Sequence, residues 1–233
     1  MKKANTFLSL SLTIFAGILL SACSDDDDPM PQTMADYEIS VTNLTNTQSF
    51  APIAVITHTS AYKPWALGEA ASEGLEMLAE GGDGSTLLME AGMDSHVTNS
   101  GSSTGITAPG SSGTVNISSR IDADLRISVA AMLVNTNDGF TGALSIPVGT
   151  MMPGDSSHLL AHVYDAGTEA NSETAASLPG TSGEGFNAMR DDRNYIAIHA
   201  GVVTSDDGLS SSALDESHRW LGPAAKITIT RTH

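Results

Sequence analysis

From Tyr37 the chain alternates. Tyr37, Ile39 and Val41 put apolar side chains on one face, while Glu38, Ser40 and Thr42 face the other way. Period two predicts a strand with one buried face. Residues 50–58 (FAPIAVITH) are more continuously apolar, as in a strand from the middle of a sheet. The period then changes: Leu67, Ala71, Leu75 and Leu78 fall on one helix face. Ser72 is a suitable N-cap, Glu73 and Glu76 suit the first turns, and Gly81-Gly82 makes a C-terminal stop. Residues 87–89 (LLM) read as a further short strand. Residues 99–113 (NSGSSTGITAPGSSG) read as a loop too poor in apolar residues to pack.

Alternation resumes at Val115 and Ile117, and residues 125–134 (LRISVAAMLV) form another strand. In residues 140–148, Phe140, Gly142, Leu144, Ile146 and Val148 alternate with Thr141, Ala143, Ser145 and Pro147. The Asn/Asp/Gly-rich residues 135–139 between these two runs predict a hairpin turn. A Pro/Gly loop leads to a strand at 158–164, followed by an irregular excursion over 171–192. Residues 195–203 and 225–229 supply two last strands, joined by an acidic, serine-rich loop at 205–217. Many short strands, glycine-rich turns and one short helix predict an all-β fold. The expected architecture is a single antiparallel β-sandwich over residues 37–233.

The front of the chain has a different character. Lys2 and Lys3 precede an apolar run at 7–20, which ends in Leu20-Ser21-Ala22-Cys23. This resembles a bacterial lipoprotein signal at 1–22, cleaved ahead of a cysteine that takes the lipid, Cys23. The run is shorter than the ~20 residues of a membrane-spanning helix. Cys23 is the single cysteine, so the domain is expected to have no disulfide and no thiolate metal ligand. Residues 23–36 follow as an acidic tether, with aspartates at 25–28 and prolines at 29 and 31. The acidic run fits a surface-export signal or a plain spacer, and Ser24 fits outer-membrane sorting. The expected location is the outer membrane, lipid-anchored, on its periplasmic side or at the cell surface. Lys and Arg number 10 against 27 Asp and Glu, a formal charge of −17. Loss of Lys2 and Lys3 makes it more negative by two. Such a surface repels nucleic acid and anionic lipid and attracts cations, so membrane contact is expected only through the lipid.

Candidate chemistry centres on residues 164–169 (YDAGTE), which set Asp165 and Glu169 around a glycine. If strands 140–148 and 158–164 run antiparallel over roughly 30 and 23 Å, Asp138 in the preceding turn lies at the same end as Asp165. Three carboxylates at one rim suit a cation such as calcium, which takes six to eight oxygens. Asn-Asp-Gly and Asp-Ala-Gly are also good turn formers in their own right, and spacing leaves both readings open. Gly101-Ser102-Ser103-Thr104-Gly105 matches a nucleophile elbow formally, but lacks the strand and helix flanks that strain the serine. His158 and His162 on a strand sit roughly 13 Å apart, too far to share a zinc ion with ~2 Å bonds. Both read as solvent-face residues, as does His199. Trp65 and Trp220 read as packing residues, Trp65 also as a candidate cleft wall.

His58-Thr59-Ser60, residues 71–82 (ASEGLEMLAEGG), residues 132–142 (MLVNTNDGFTG) and residues 164–171 (YDAGTEAN) together resemble the spondin domain family, the domain type shared by F-spondin and mindin. The resemblance implies a β-sandwich holding one calcium ion by acidic loop residues, Asp138, Asp165 and Glu169. Animal members usually have Pro-Asp-Trp where this chain has Asn137-Asp138-Gly139-Phe140, and an aspartate at the place of Glu169. The implied role is a calcium-binding, non-catalytic module for adhesion to a surface or matrix protein or glycan. A calcium-dependent envelope hydrolase and a structural envelope component without a specific ligand are the alternatives.

Overall fold

A computed structural model describes residues 33–233. The expected signal, Cys23 and most of the tether lie outside the described residues. Ten strands form two antiparallel sheets. They are β1 (Met34–Asn43), β2 (Ala54–His58), β3 (Val97–Ser102), β4 (Ser112–Arg120), β5 (Arg126–Met132), β6 (Gly139–Pro147), β7 (Ser156–Ala161), β8 (Val163–Asp165), β9 (Ala197–Ile198) and β10 (Ala225–Arg231). One sheet has the order β4-β1-β10-β7 and the other β3-β2-β5-β6-β8-β9. The expected sandwich is therefore observed, and β1 takes in the last residues of the expected tether.

The two apolar patterns separate because the sheets are covered differently. Alternating residues of β1 (Tyr37, Ile39, Val41) and β10 (Ile227, Ile229) fill the space between the sheets with Ile53, Val55, Ile127 and Val129. The six-stranded sheet is also covered on its outer side, where Ile56, Ala130 and Phe140 pack with Leu75, Leu78 and Leu87. Every residue of β2 is buried, which explains its continuous apolar run.

The cover is a helix pair, α1 (Glu73–Gly81) and α2 (Ser85–Gly92), not the single helix expected. α1 starts and stops where its caps dictate: the Ser72 hydroxyl accepts from the Leu75 N–H at 3.2 Å, and Gly82 closes the C-terminus. Residues 87–89 belong to α2, correcting the expected strand. A three-residue apolar run has no readable period, and Leu87 finds its burial against α1. Glu90 of α2 accepts from the Gly74 N–H at 2.8 Å and the Ser72 hydroxyl at 2.6 Å, so the second helix completes the cap of the first.

Other expectations change in detail. Residues 99–102 join β3, because the ladder to β2 needs hydrogen bonds rather than apolar side chains. The strand expected at 195–203 shrinks to β9, and residues 171–194 are irregular. The larger correction concerns the meander. β7 pairs with β10 in the four-stranded sheet, and only after His162 does the chain cross over to pair β8 with β6.

Gly74 is where the helices meet. A Cβ there would lie 2.5 Å from the backbone N and Cα of Leu87. Gly74→Ala should lower the urea midpoint, because overpacking costs ~1–3 kcal/mol and exceeds the ~1 kcal/mol gained in helix propensity. An unchanged or raised midpoint would show that the helices are free to separate.

Candidate metal centre

The β5–β6 turn is tied by Thr136, whose hydroxyl donates to the Leu133 carbonyl at 2.7 Å and accepts from the Gly139 N–H at 3.0 Å. Asp138 is thereby fixed at the start of β6. Gly139 pairs with Asp165 across β6 and β8, and the Ala166 N–H donates to the Asp138 carbonyl at 3.2 Å. The two aspartates expected to be neighbours are neighbours. Three ladder pairs bring them together, rather than two full-length strands.

The loop after β8 wraps the Asp138 carboxylate. Its Oδ2 accepts from the Thr168 N–H at 2.8 Å, the Glu169 N–H at 3.2 Å and the Thr168 hydroxyl at 3.3 Å. Gly167 permits the wrap: its φ is +71°, and a Cβ there would lie 2.3 Å from the Tyr195 carbonyl oxygen. Asp165 Oδ1 accepts from the Gly167 N–H at 2.9 Å, and Oδ2 accepts from the Asn171 amide at 2.8 Å and pairs with the Arg193 guanidinium. Glu169 is half-buried, and its Oε1 accepts from the Asn137 amide at 3.0 Å. Among the described residues, no three His, Cys, Asp or Glu side chains already stand as an ion cage.

The electrostatics are those of carboxylates taken out of water. Asp138 is 0 % exposed and Asp165 1 %. Burial, reinforced by the Asp165 charge, pushes the Asp138 carboxyl up to about 7 against the opposing amides of Thr168 and Glu169. Burial also lifts Glu169 to about 7, with the charges of Glu80, Asp138 and Asp191 adding and the Asn137 amide opposing. Glu80 and Glu173, both buried, are raised by the same cause. Asp138 Oδ1, Glu80 Oε1 and Glu173 Oε2 are buried without a hydrogen-bond partner. An orphaned, buried carboxylate oxygen is what a bound cation would satisfy, and a set of oxygen donors suits calcium in kind. The donors are of the kind calcium takes, and Arg193 and Asn137 engage two of the three carboxylates, Asp165 and Glu169.

Several of these residues carried no sequence signal. Arg193 and Glu173 lie in the irregular stretch over 171–194, where no period relates them to Asp165. Glu80 was legible only as a helix residue. Asn137 and Asn171 sit inside the two motif segments, but spacing does not say that they hold Glu169 and Asp165. His158 and His162 are exposed as expected. His199 is buried, correcting the solvent-face reading: its ring packs edge-on to Trp220 with centroids 5.2 Å apart, and burial lowers its pKa. Trp65 packs against Phe140 at 5.5 Å. Ser103 is buried, and its Oγ accepts from the Ile53 N–H at 2.9 Å.

A carboxyl whose folded pKa exceeds its unfolded value holds its proton more tightly when folded, so ionising it costs stability. For Asp138 the window runs from the ordinary 3.8 up to about 7. In chelator the chain should lose stability as pH rises through that window. Asp138→Asn should flatten the loss by an amount on the order of a few kcal/mol, leaving the share of Glu169. Urea unfolding of both proteins at pH 5 and pH 8 measures this; an equal pH dependence would place Asp138 in water.

The sequence model of the Spondin_N family matches residues 40–186, a stretch that runs from β1 through the whole Asp138–Asp165–Glu169 corner. A search of curated proteins finds no match. Spondin N-terminal domains are non-enzymatic modules of extracellular and surface proteins. With well over half of its residues matched and the expected sandwich in place, the chain belongs to the Spondin_N family.

Proposed function

We propose that the chain is a lipid-anchored, calcium-binding module of the cell envelope that adheres to a surface or matrix protein or glycan, without catalysis. The observation that carries the reading is Asp138, fully buried, with one oxygen wrapped by backbone N–H groups and the other without a partner, beside a second buried carboxylate. Asp138, Asp165 and Glu169 would hold the ion. When bound, calcium supplies the charge that lets these carboxylates ionise together, and so fastens the β5–β6 turn to the loop after β8. The chain's own contribution is the wrap that aims the Asp138 carboxylate, and the Asn171 amide that orients Asp165.

Adhesion fits a rigid sandwich whose loops are pinned at a rim, and the excess of acidic residues fits a cation-rich exterior. The lipid on Cys23 and the acidic residues behind it would hold the domain off the membrane. The hydrolase alternative is disfavoured by Ser103, which is buried and whose Oγ accepts from the Ile53 N–H.

Calcium should raise the melting temperature, because it binds the native state alone. At a hundredfold excess over Kd the gain is about 2.7 kcal/mol, or roughly 5–10 °C for a domain of this size. A chelator should reverse the shift and Asp165→Ala should abolish it; identical melting curves in all three conditions would sink the calcium reading. Adhesion is tested separately on arrays of glycans and matrix proteins with and without calcium. Calcium-dependent capture is expected, and no capture in either condition would leave a structural envelope component.

A further inference from the structure

We propose that Arg193 sets the affinity of this cation site: its guanidinium neutralises Asp165 in the ion-free protein, and a bound cation has to displace it. The inference rests on the calcium reading above and deepens it. The contact is asymmetric. Arg193 bonds Asp165 Oδ2, and the arginine side chain is 34 % exposed while the aspartate is 1 % exposed. The partner that can withdraw into water is therefore the arginine. Its Nε already lies 3.5 Å from Asp192 Oδ2, and its guanidinium sits 5.7 Å from the centre of the Tyr195 ring, so a displaced guanidinium has an acidic and an aromatic neighbour waiting.

One guanidinium does not serve both aspartates. The hydrogen bonds to the Asp138 carboxylate fall on Oδ2, and Oδ1 has no partner. Asp165, Asp192 and Asp138 all act on the Arg193 charge, and one positive charge leaves this group negative. A divalent, oxygen-seeking cation supplies the second charge and a partner for Oδ1, but it competes with Arg193 for Asp165 Oδ2. Two cations that exclude each other from one carboxylate are linked: whatever the guanidinium gains at Asp165 is subtracted from the ion's affinity. The site is thereby set for a cation at high free concentration rather than a trace one.

The test is a calorimetric titration of calcium chloride into the intact wild-type chain and the Arg193→Gln variant, both stripped of metal. Arg193→Gln should bind calcium roughly tenfold tighter or more. In chelator it should melt below wild type, since Asp165 is left without a counter-charge, and calcium should remove that deficit. Equal or weaker calcium affinity in the variant overturns the competition while leaving the calcium reading standing. Absence of binding in both proteins overturns the calcium reading and this inference with it. A second readout needs no variant: the Arg193 side-chain N–H signals of isotope-labelled wild type should shift on calcium saturation, and signals that stay in place overturn the displacement.

Discussion

A carboxylate at zero exposure has to be given hydrogen bonds, a counter-charge or a proton, and the corner around Asp138 is arranged by that demand. Burying a charge without such compensation costs more than a domain of this size has in net stability. Two backbone amides and a hydroxyl answer one oxygen of Asp138. To bring them there, the chain leaves the four-stranded sheet after β7, enters the six-stranded one as β8, and turns at Gly167 against the backbone of Tyr195. The sheet crossover, the glycine turn and the β5–β6 hairpin thus have one common point.

The same logic extends to the irregular stretch over 171–194, which has almost no ladder of its own and no cysteine to staple it. Buried acids anchor it. Glu76 on α1 takes Arg190 at 2.6 Å, and Arg190 also donates to the Ala71 carbonyl at 2.9 Å. Glu80, one turn along, accepts from the Asn187 N–H at 2.8 Å. Asp165 takes Arg193, and Glu173 accepts from the Val203 N–H at 3.2 Å while its own N–H reaches Asn137. Part of the acidic surplus in the composition is therefore folded inward, and the outer surface is less negative than the formal charge implies. Buried pairs of this kind add little net stability, but removing one partner strands the other.

Where each neighbour in space was also a neighbour in period, the fold was legible in the sequence. The alternation of β1, the unbroken apolar run of β2, the capped α1 and the 135–139 hairpin all follow from side-chain periodicity and turn chemistry, and all are observed. The second helix was not legible, because Leu87-Leu88-Met89 is too short to show a period and its burial depends on Gly74 of another element. The crossover at His162 was not legible either, since residues 158–164 read as one continuous strand through the point where the chain changes sheets. At the site, the Asp138–Asp165 adjacency was right for a reason only partly correct: the sheet-end argument holds, but it acts through three residues of β8. Arg193 was out of reach, because an ion pair across an irregular loop leaves no spacing to read.

Donor chemistry narrows what this corner can hold. The carboxylates of Asp138, Asp165 and Glu169 offer oxygen alone, and the accepting nitrogen of the buried His199 is already engaged. His58 donates from Nδ1 to the Thr59 carbonyl at 2.7 Å, and its Nε2 lies 2.8 Å from the Ser128 hydroxyl. His199 accepts from the Gly201 N–H through Nδ1 at 3.0 Å, which puts the ring proton on Nε2 and leaves that nitrogen no lone pair for a metal. This donor set suits a hard cation rather than a nitrogen- or sulfur-seeking one, and burial has raised the proton affinity of two of its members, Asp138 and Glu169. Burial that makes a carboxylate's charge costly also raises what a divalent cation beside it would compensate. A proton on Asp138 and the guanidinium on Asp165 are thus two different answers to negative charge buried in one corner, and the proposed cation would be a third.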